Sequence, residues 1–301
     1  MLTRISKIAP RLLQRLLNNS SYPSVELVYE SIPHWPLGLS ESQSPKLLRI
    51  SVLDSSFNPP TLAHLGLANT HLPLEWAKDV SPGSQESVDY DAHLLLLSVK
   101  NADKTLKPTD ASYLQRLEMM SLLTKRMSST NVAIAITNQA TFVCKSKVLL
   151  AFLNQKILSF RTQPSPTIEL TFLVGLDTLE RIFSPRYYPS ETEMKAALQK
   201  FLSSAPEGDN SRILAGQRIF IPTASQSVEE TSTLVKHYLD SGRIAIVDNG
   251  EELSALSSTA VRSAVARDGL TTGDKARLLW HDCITTEIAK YIVEEQLYAT
   301  H

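Results

Sequence analysis

Residues 47–64 read LLRISVLDSSFNPPTLAH. Leu48 to Leu53 is a near-continuous apolar run, the pattern of a strand buried on both faces of a sheet. SSFNPPT follows at once, and the pair Pro59-Pro60 forbids a continued strand or helix. From Thr61 to His71 the apolar spacing turns helical. The stretch is therefore strand, tight loop, helix, with the loop where the carboxyl end of the strand meets the amino end of the helix.

The alternation continues along the chain. Val25 to Tyr29, Ala92 to Val99, Asn131 to Thr137, Ile168 to Gly175, Arg218 to Pro222 and Arg243 to Val247 read as strands. Ala111 to Met127, Lys145 to Asn154, Asp177 to Phe183, Ser258 to Arg267 and Ile284 to Glu295 read as helices. Asp79 to Ala92 and Pro206 to Ser211 are polar breaks. Strands alternating with helices predict an α/β fold, a Rossmann-like doubly wound parallel sheet covered on both faces. Residues 1–47 read as an N-terminal helix and short strand extending a main domain over 48–301.

Composition narrows the function classes. The chain has 301 residues with 30 Lys+Arg against 31 Asp+Glu, so no overall charge draws it to nucleic acid. With 43% hydrophobic residues it can bury a large core without staples. Cys144 and Cys283 cannot form a disulfide framework or a four-cysteine zinc site, which suits a reducing compartment. No apolar run reaches the roughly 20 residues that span a bilayer.

The first 24 residues contain Arg4, Lys7, Arg11 and Arg15 and no acid, with Ile5, Ile8, Leu12, Leu13, Leu16 and Leu17 at helical spacing. One reading is a mitochondrial presequence. The other is a helix packing its leucine stripe on the domain, favoured because Pro10 interrupts the helix and Ser is scarce. The compartment expected is cytoplasm or nucleus, with the mitochondrion open through this segment.

Two constellations carry chemistry. In the first, Ser55 to His64, ligands collect at the strand's carboxyl end, where free N–H groups and the helix dipole favour phosphate. Thr61 and His64 are three apart and share one face of the first turn, so the imidazole can donate to a phosphate oxygen. In the second, LSSTAVR, Ser258 or Thr259 reads as an N-cap and Arg262 falls one turn inside. Hydroxyl, N–H groups and guanidinium then converge on one anion, and Arg grips phosphate with two parallel bonds.

Ser56, Phe57, Asn58, Pro59, Pro60, Thr61 and His64 resemble the SFNPPTxxH signature of nucleotidylyltransferases of the HxGH superfamily, in particular nicotinamide or nicotinate mononucleotide adenylyltransferases. Ser258, Thr259 and Arg262 resemble that family's ISSTxxR triphosphate motif, in the expected order. The resemblance spans roughly Leu48 to Tyr298, with long loops like those of a divergent fungal branch. It departs at Ser55, where the family usually has a glycine that lets the backbone approach phosphate or take unusual torsions.

The resemblance implies a sheet of the nucleotidylyltransferase type. The reaction it implies joins ATP and nicotinamide (or nicotinate) mononucleotide into NAD or its deamido form, with release of pyrophosphate. His64 would stabilise the α-phosphate and Thr61 would orient it. Ser258, Thr259 and Arg262 would hold the β- and γ-phosphates, and Ser55, Ser56 and Phe57 would line the nucleotide site. Lys107, in the segment KPTDASYLQRLEMM, matches a mononucleotide phosphate contact, against a solvated loop lysine. Gly175 and Asp177 match a strand-Gly-x-Asp-helix element facing ribose or adenine, against an Asp that only caps its helix. Thr141 and the RYYP segment (Arg186 to Pro189) match contacts to the nicotinamide nucleotide and near the base. Mg²⁺ is expected on the triphosphate, held by phosphate and water with no protein metal site.

Two other readings stay open at this point. One is a nucleotidylyltransferase with a different phosphorylated acceptor, since phosphate motifs do not read the acceptor. The other is a weakly active nucleotide-binding protein that works through protein partners. Oligomeric state is not readable from one chain.

Overall fold

The computed structural model describes residues 2–18, 24–38, 47–76, 89–100, 107–160, 165–217, 228–248, 250, 253, 256–270 and 280–299. Seven strands form one sheet: β1 (Val25–Glu30), β2 (Leu47–Asp54), β3 (Ala92–Ser98), β4 (Val132–Thr137), β5 (Thr167–Gly175), β6 (Ser211–Gln217) and β7 (Ile244–Asp248). Their order is β1-β4-β3-β2-β5-β6-β7, parallel throughout except for β1, which runs antiparallel to β4 at the edge.

The apolar runs explain the centre of the sheet. Every residue of β4 is buried, as are Ala92 to Leu97 of β3 and Ile168 to Val174 of β5. Alternate residues of these strands serve two separate cores. Leu53, Leu95, Leu97, Leu173 and Leu214 pack on one face under α1 (Leu2–Asn18), α2 (Leu62–Ala68), α3 (Tyr113–Thr124) and the two C-terminal helices. Those last helices, after the ones named next, are α8 (Ser258–Asp268) and α9 (Thr286–Glu294). Ile50, Val52, Leu94, Leu96 and Phe172 pack on the other face under α4 (Phe142–Phe160), α5 (Leu176–Ile182), α6 (Glu191–Leu202) and α7 (Val228–Asp240). The predicted doubly wound α/β fold is the one observed.

Several expectations need correction. The helix predicted over Thr61 to His71 is a seven-residue α2. The strand read at Arg218 to Pro222 lies outside the described residues, and β6 stands just before it at Ser211–Gln217. Its polar start hid it, because Ser211 and Arg212 find partners only in the fold. Ser211 Oγ meets Ser146 Oγ at 2.9 Å, and Arg212 Nε donates to Glu169 at 2.9 Å. The break read at Asp79 to Ala92 also lies mostly outside the described residues, and Ala92 itself opens β3. Helices α6 and α7 have no counterpart in the sequence reading.

Pro10 does not interrupt α1. A mid-helix proline removes one backbone bond, but Ile5, Ala9, Leu12, Leu13 and Leu16 bury a continuous stripe that holds the helix in place. Arg15 ties it to β1 through Glu26 at 2.8 Å.

The chain leaves β2 through α2 towards β3 and β4. Its other parallel neighbour, β5, leads the opposite way to β6 and β7. That divergence opens a crevice at the carboxyl ends of β2 and β5, where ligands bind in sheets of this kind.

Candidate active site

A cleft of about 730 Å³ occupies this crevice. Asp54, Ser98, Gly175 and Gly216, at or near the carboxyl ends of β2, β3, β5 and β6, form part of its wall. Six basic side chains (Lys100, Lys107, Arg116, Lys145, Arg181, Arg262) face it against three carboxylates (Asp54, Asp110, Asp177). In a chain with balanced total charge, that concentration favours a polyanionic ligand.

The first motif builds one side. Thr61 is the N-cap of α2, and its backbone N–H donates to His64 Nδ1 at 3.0 Å, with its hydroxyl 2.8 Å from the same nitrogen. A backbone N–H can only donate, so the hydrogen-bond network assigns Nδ1 as the bare nitrogen and places the ring proton on Nε2. Nε2 lies 2.8 Å from Ser55 Oγ, inside the cleft. The imidazole rests against the Phe57 ring, with centroids 5.3 Å apart. Phe57 is fully buried and takes a positive φ of 46°, so its ring supports His64 from the core and is not part of the cleft wall. Ser55 is not among the positive-φ residues, so its side chain sits without backbone strain.

The second motif builds the facing side. Ser257, not Ser258 or Thr259, is the N-cap of α8, accepting from Ala260 N–H at 3.1 Å. Ser258 is instead the first residue of α8, and its hydroxyl donates to the Pro59 carbonyl at 2.7 Å. Arg262 donates to the Asn58 carbonyl and, through its second terminal nitrogen, to Thr259 Oγ1 at 3.3 Å. Both contacts to residues 58 and 59 stitch the two motifs together across roughly 200 residues of sequence.

Asp110 is the hub beneath them. It accepts from Asn58 Nδ2 at 2.7 Å and from Lys107 N–H at 3.1 Å, and it faces Arg116 at 3.6 Å and Arg262 at 3.7 Å. Burial alone would raise its pKa; the Lys107 N–H, Asn58 and the two guanidinium groups outweigh that and hold the carboxyl below its ordinary value. Asn58 Oδ1 in turn accepts from Ala111 N–H at 3.2 Å and from the buried Tyr298 hydroxyl at 2.9 Å.

The β3–β4 end of the cleft carries Lys107, Thr141, Phe142 and Lys145. The Thr141 hydroxyl accepts from Cys144 N–H at 3.4 Å at the start of α4. Lys145 pairs with Asp54, and both side chains are almost wholly buried. Tyr187 and Tyr188, from the RYYP segment, complete the wall, with Tyr188 fixed by its hydroxyl to the Ile182 carbonyl at 2.7 Å. Gly175 is the N-cap of α5, so Asp177 does not cap that helix but stands in its first turn, half-exposed to the cleft.

Ser55, Ser56, Thr141, Gly175, Lys107, Asp177, His64, Ser258, Thr259 and Arg262 thus all reach one cleft, with Thr61 buried directly behind His64. Sequence reasoning missed Asp54, Asp110 and Lys145, whose importance comes from partners 52 to 152 positions away. Among the described residues no three His, Cys, Asp or Glu side chains converge, and Asp54 and Asp110 are committed to cationic partners.

No family model matches the chain. A curated relative from Schizosaccharomyces pombe, named "Putative nicotinamide mononucleotide adenylyltransferase", is 37% identical over 154 residues, 51% of this chain. The chain spans about half the length of that relative, 49%. Among solved structures, it is similar to Plasmodium falciparum nicotinic acid mononucleotide adenylyltransferase complexed with NaAD. That match has 14% identity and a TM-score of 0.50, and covers 83% of this chain and 97% of the other. A second structure of the same enzyme, complexed with APC, aligns over the same shares with 12% identity and a TM-score of 0.47. The likeness with a TM-score of 0.50 shows a shared fold.

Proposed function

We propose that the chain transfers the adenylyl group of ATP to nicotinamide or nicotinate mononucleotide, forming NAD or its deamido form and pyrophosphate. The observation that carries this reading is the convergence of His64 and Arg262 on one cleft from two loops held together by bonds to Asn58 and Pro59. The names of the fission-yeast relative and the solved neighbour support it.

The topology supports a division of the cleft. Helix α8 follows β7, so the triphosphate belongs with the β5–β7 half, where Gly175 and Asp177 stand ready for the adenosine. The acceptor mononucleotide then takes the β2–β4 half, its phosphate near Lys107 and its base near Thr141, Phe142 and Tyr188.

In the reaction an oxygen of the mononucleotide phosphate attacks the α-phosphorus, and the bond to the β-phosphate oxygen breaks as pyrophosphate leaves. An ionised phosphate needs no general base, so the protein's work is alignment and charge stabilisation. His64 Nε2–H donates to a non-bridging α-phosphate oxygen, exchanging its bond to Ser55 for one to the ligand. Thr61 keeps Nδ1 bare, so the proton stays on the nitrogen that faces the phosphate. Arg262 and Thr259 neutralise the departing pyrophosphate, aided by the amino end of α8. Magnesium, when bound on the triphosphate, supplies further charge neutralisation.

The site of action proposed is the cytoplasm, the nucleus or both, with the mitochondrion still open through the basic N-terminal helix, whose apolar stripe packs in the core. The test of the function is incubation of the purified chain with Mg-ATP and nicotinamide mononucleotide and direct assay of NAD. Formation of NAD supports the reading, and none from either mononucleotide refutes it.

A further inference from the structure

The pair formed by Asp54 and Lys145 is unusual for its place. Asp54 ends β2 and Lys145 lies in the first turn of α4, and both are part of the cleft wall. Their side chains are only 7% and 5% exposed. Lys145 Nζ also sits 4.8 Å from the centre of the Phe142 ring. A further contact to the carboxylate, Ser98 Oγ to Oδ1 at 3.4 Å, is long and competes with the shorter bond from the same hydroxyl to the Gln139 carbonyl at 3.2 Å. None of these residues serves the phosphate chemistry described above.

A buried ion pair costs solvation of both partners and contributes little net stability, so its retention on a cleft wall calls for another role. The chemistry on offer is one weakly used acceptor, Asp54 Oδ1, beside an ammonium with donors to spare. That combination matches a primary carboxamide, whose NH₂ donates and whose carbonyl accepts. It does not match a carboxylate. Lys145 is already neutralised by Asp54, and a second carboxylate brought there would meet a like charge in a poorly solvated site.

Resting on the adenylyl-transfer reading and on the acceptor lying in the β2–β4 half, we infer that Asp54 and Lys145 are specificity-determining residues that select the carboxamide of nicotinamide mononucleotide against the carboxylate of nicotinate mononucleotide. Asp54 repels the acid form and receives the amide N–H, while Lys145 donates to the amide oxygen.

The test compares kcat/KM for the two mononucleotides at saturating Mg-ATP in the wild type, Asp54→Asn and Lys145→Gln. The wild type should favour the amide by about tenfold or more, the scale on which one mismatched polar group discriminates. Asp54→Asn frees the buried cation for a carboxylate and should move the ratio towards the acid by about tenfold or more. Lys145→Gln leaves Asp54 facing the acid alone and should widen the amide preference. A wild-type ratio near unity overturns the inference by itself, whatever the variants do. An active, folded Asp54→Asn with an unchanged ratio overturns it too, and if that variant does not fold, an unchanged ratio in Lys145→Gln does so. Failure of the wild type to make dinucleotide from either acceptor overturns the adenylyl-transfer reading as well. Dinucleotide formation with an indifferent ratio overturns only the role of this pair.

Discussion

The backbone N–H of Thr61 donates to Nδ1 of His64 across 3.0 Å, and this bond decides which nitrogen the cleft receives. Because Nδ1 must accept, the neutral ring carries its proton on Nε2, beside Ser55 in the cleft. The role proposed for His64 thus depends on a helix cap as much as on the imidazole.

His64→Ala should lower turnover by roughly 10²-fold or more, the usual loss for one donor aimed at developing charge. The fold should survive, because the side chain belongs to the cleft and only Phe57 beneath it belongs to the core. Steady-state kinetics with circular dichroism checks both halves. Near-normal turnover removes His64 from the mechanism.

Arg262→Ala should raise the KM for ATP by about ten- to a hundredfold, in keeping with the loss of a charge-assisted bond of about 1.5–3 kcal/mol. Arg262→Lys should recover only part of this, since an ammonium keeps the charge and loses the fork. An ATP dependence unaltered in both variants counts against the second motif as a triphosphate site.

Asp110 should govern stability in acid. Its folded pKa lies below the ordinary 3.8. The stability it contributes is therefore present above that unfolded-state value and is lost as pH falls through the lower folded value. Asp110→Asn should flatten the acid limb of a melting-temperature profile. It should also destabilise the fold at neutral pH, by about 3–5 kcal/mol if Arg116 is left as an unpaired buried charge. An acid limb identical to the wild type contradicts this.

His93 should act in a higher pH window. It is buried, 2.8 Å from Ser51 Oγ, and burial pushes its pKa below 6.5, against Asp89, which raises it. The neutral form's contribution is present above pH 6.5 and is lost as pH falls through the depressed folded value. His93→Gln should remove that part of the decline between neutral and mildly acid pH, as read by thermal melts. A decline of unchanged size assigns it to other groups.

The N-terminal helix should behave as part of the fold. Leu16 is 2% exposed, and Leu16→Ala should cost about 2–5 kcal/mol in denaturant unfolding, as buried leucines do. A cost below about 0.5 kcal/mol, typical of surface positions, would show that α1 is dispensable.

What the sequence made legible follows from where the physics is local. Leu48 to Leu53 and Ala92 to Leu97 are apolar enough to declare themselves as central strands. The Pro pair after Phe57 fixes the loop, and the resemblance then located His64 and Arg262. β6 was missed because Ser211 and Arg212 look solvated until Ser146 and Glu169 are brought to them. Pro10 looked like a helix breaker because its effect is local, whereas the burial of Leu12, Leu13 and Leu16 is tertiary. Asp54, Asp110 and Lys145 gave no signal for the same reason. An ion pair across 91 positions has no periodicity and no spacing rule.

The most direct measurement is product stoichiometry. Wild-type protein is incubated with Mg-ATP, with and without nicotinamide mononucleotide, and the products are separated and quantified. The account predicts equimolar NAD and pyrophosphate, both dependent on the mononucleotide, and both reduced together in His64→Ala. Release of ADP and phosphate without mononucleotide, and no NAD with it, would contradict it.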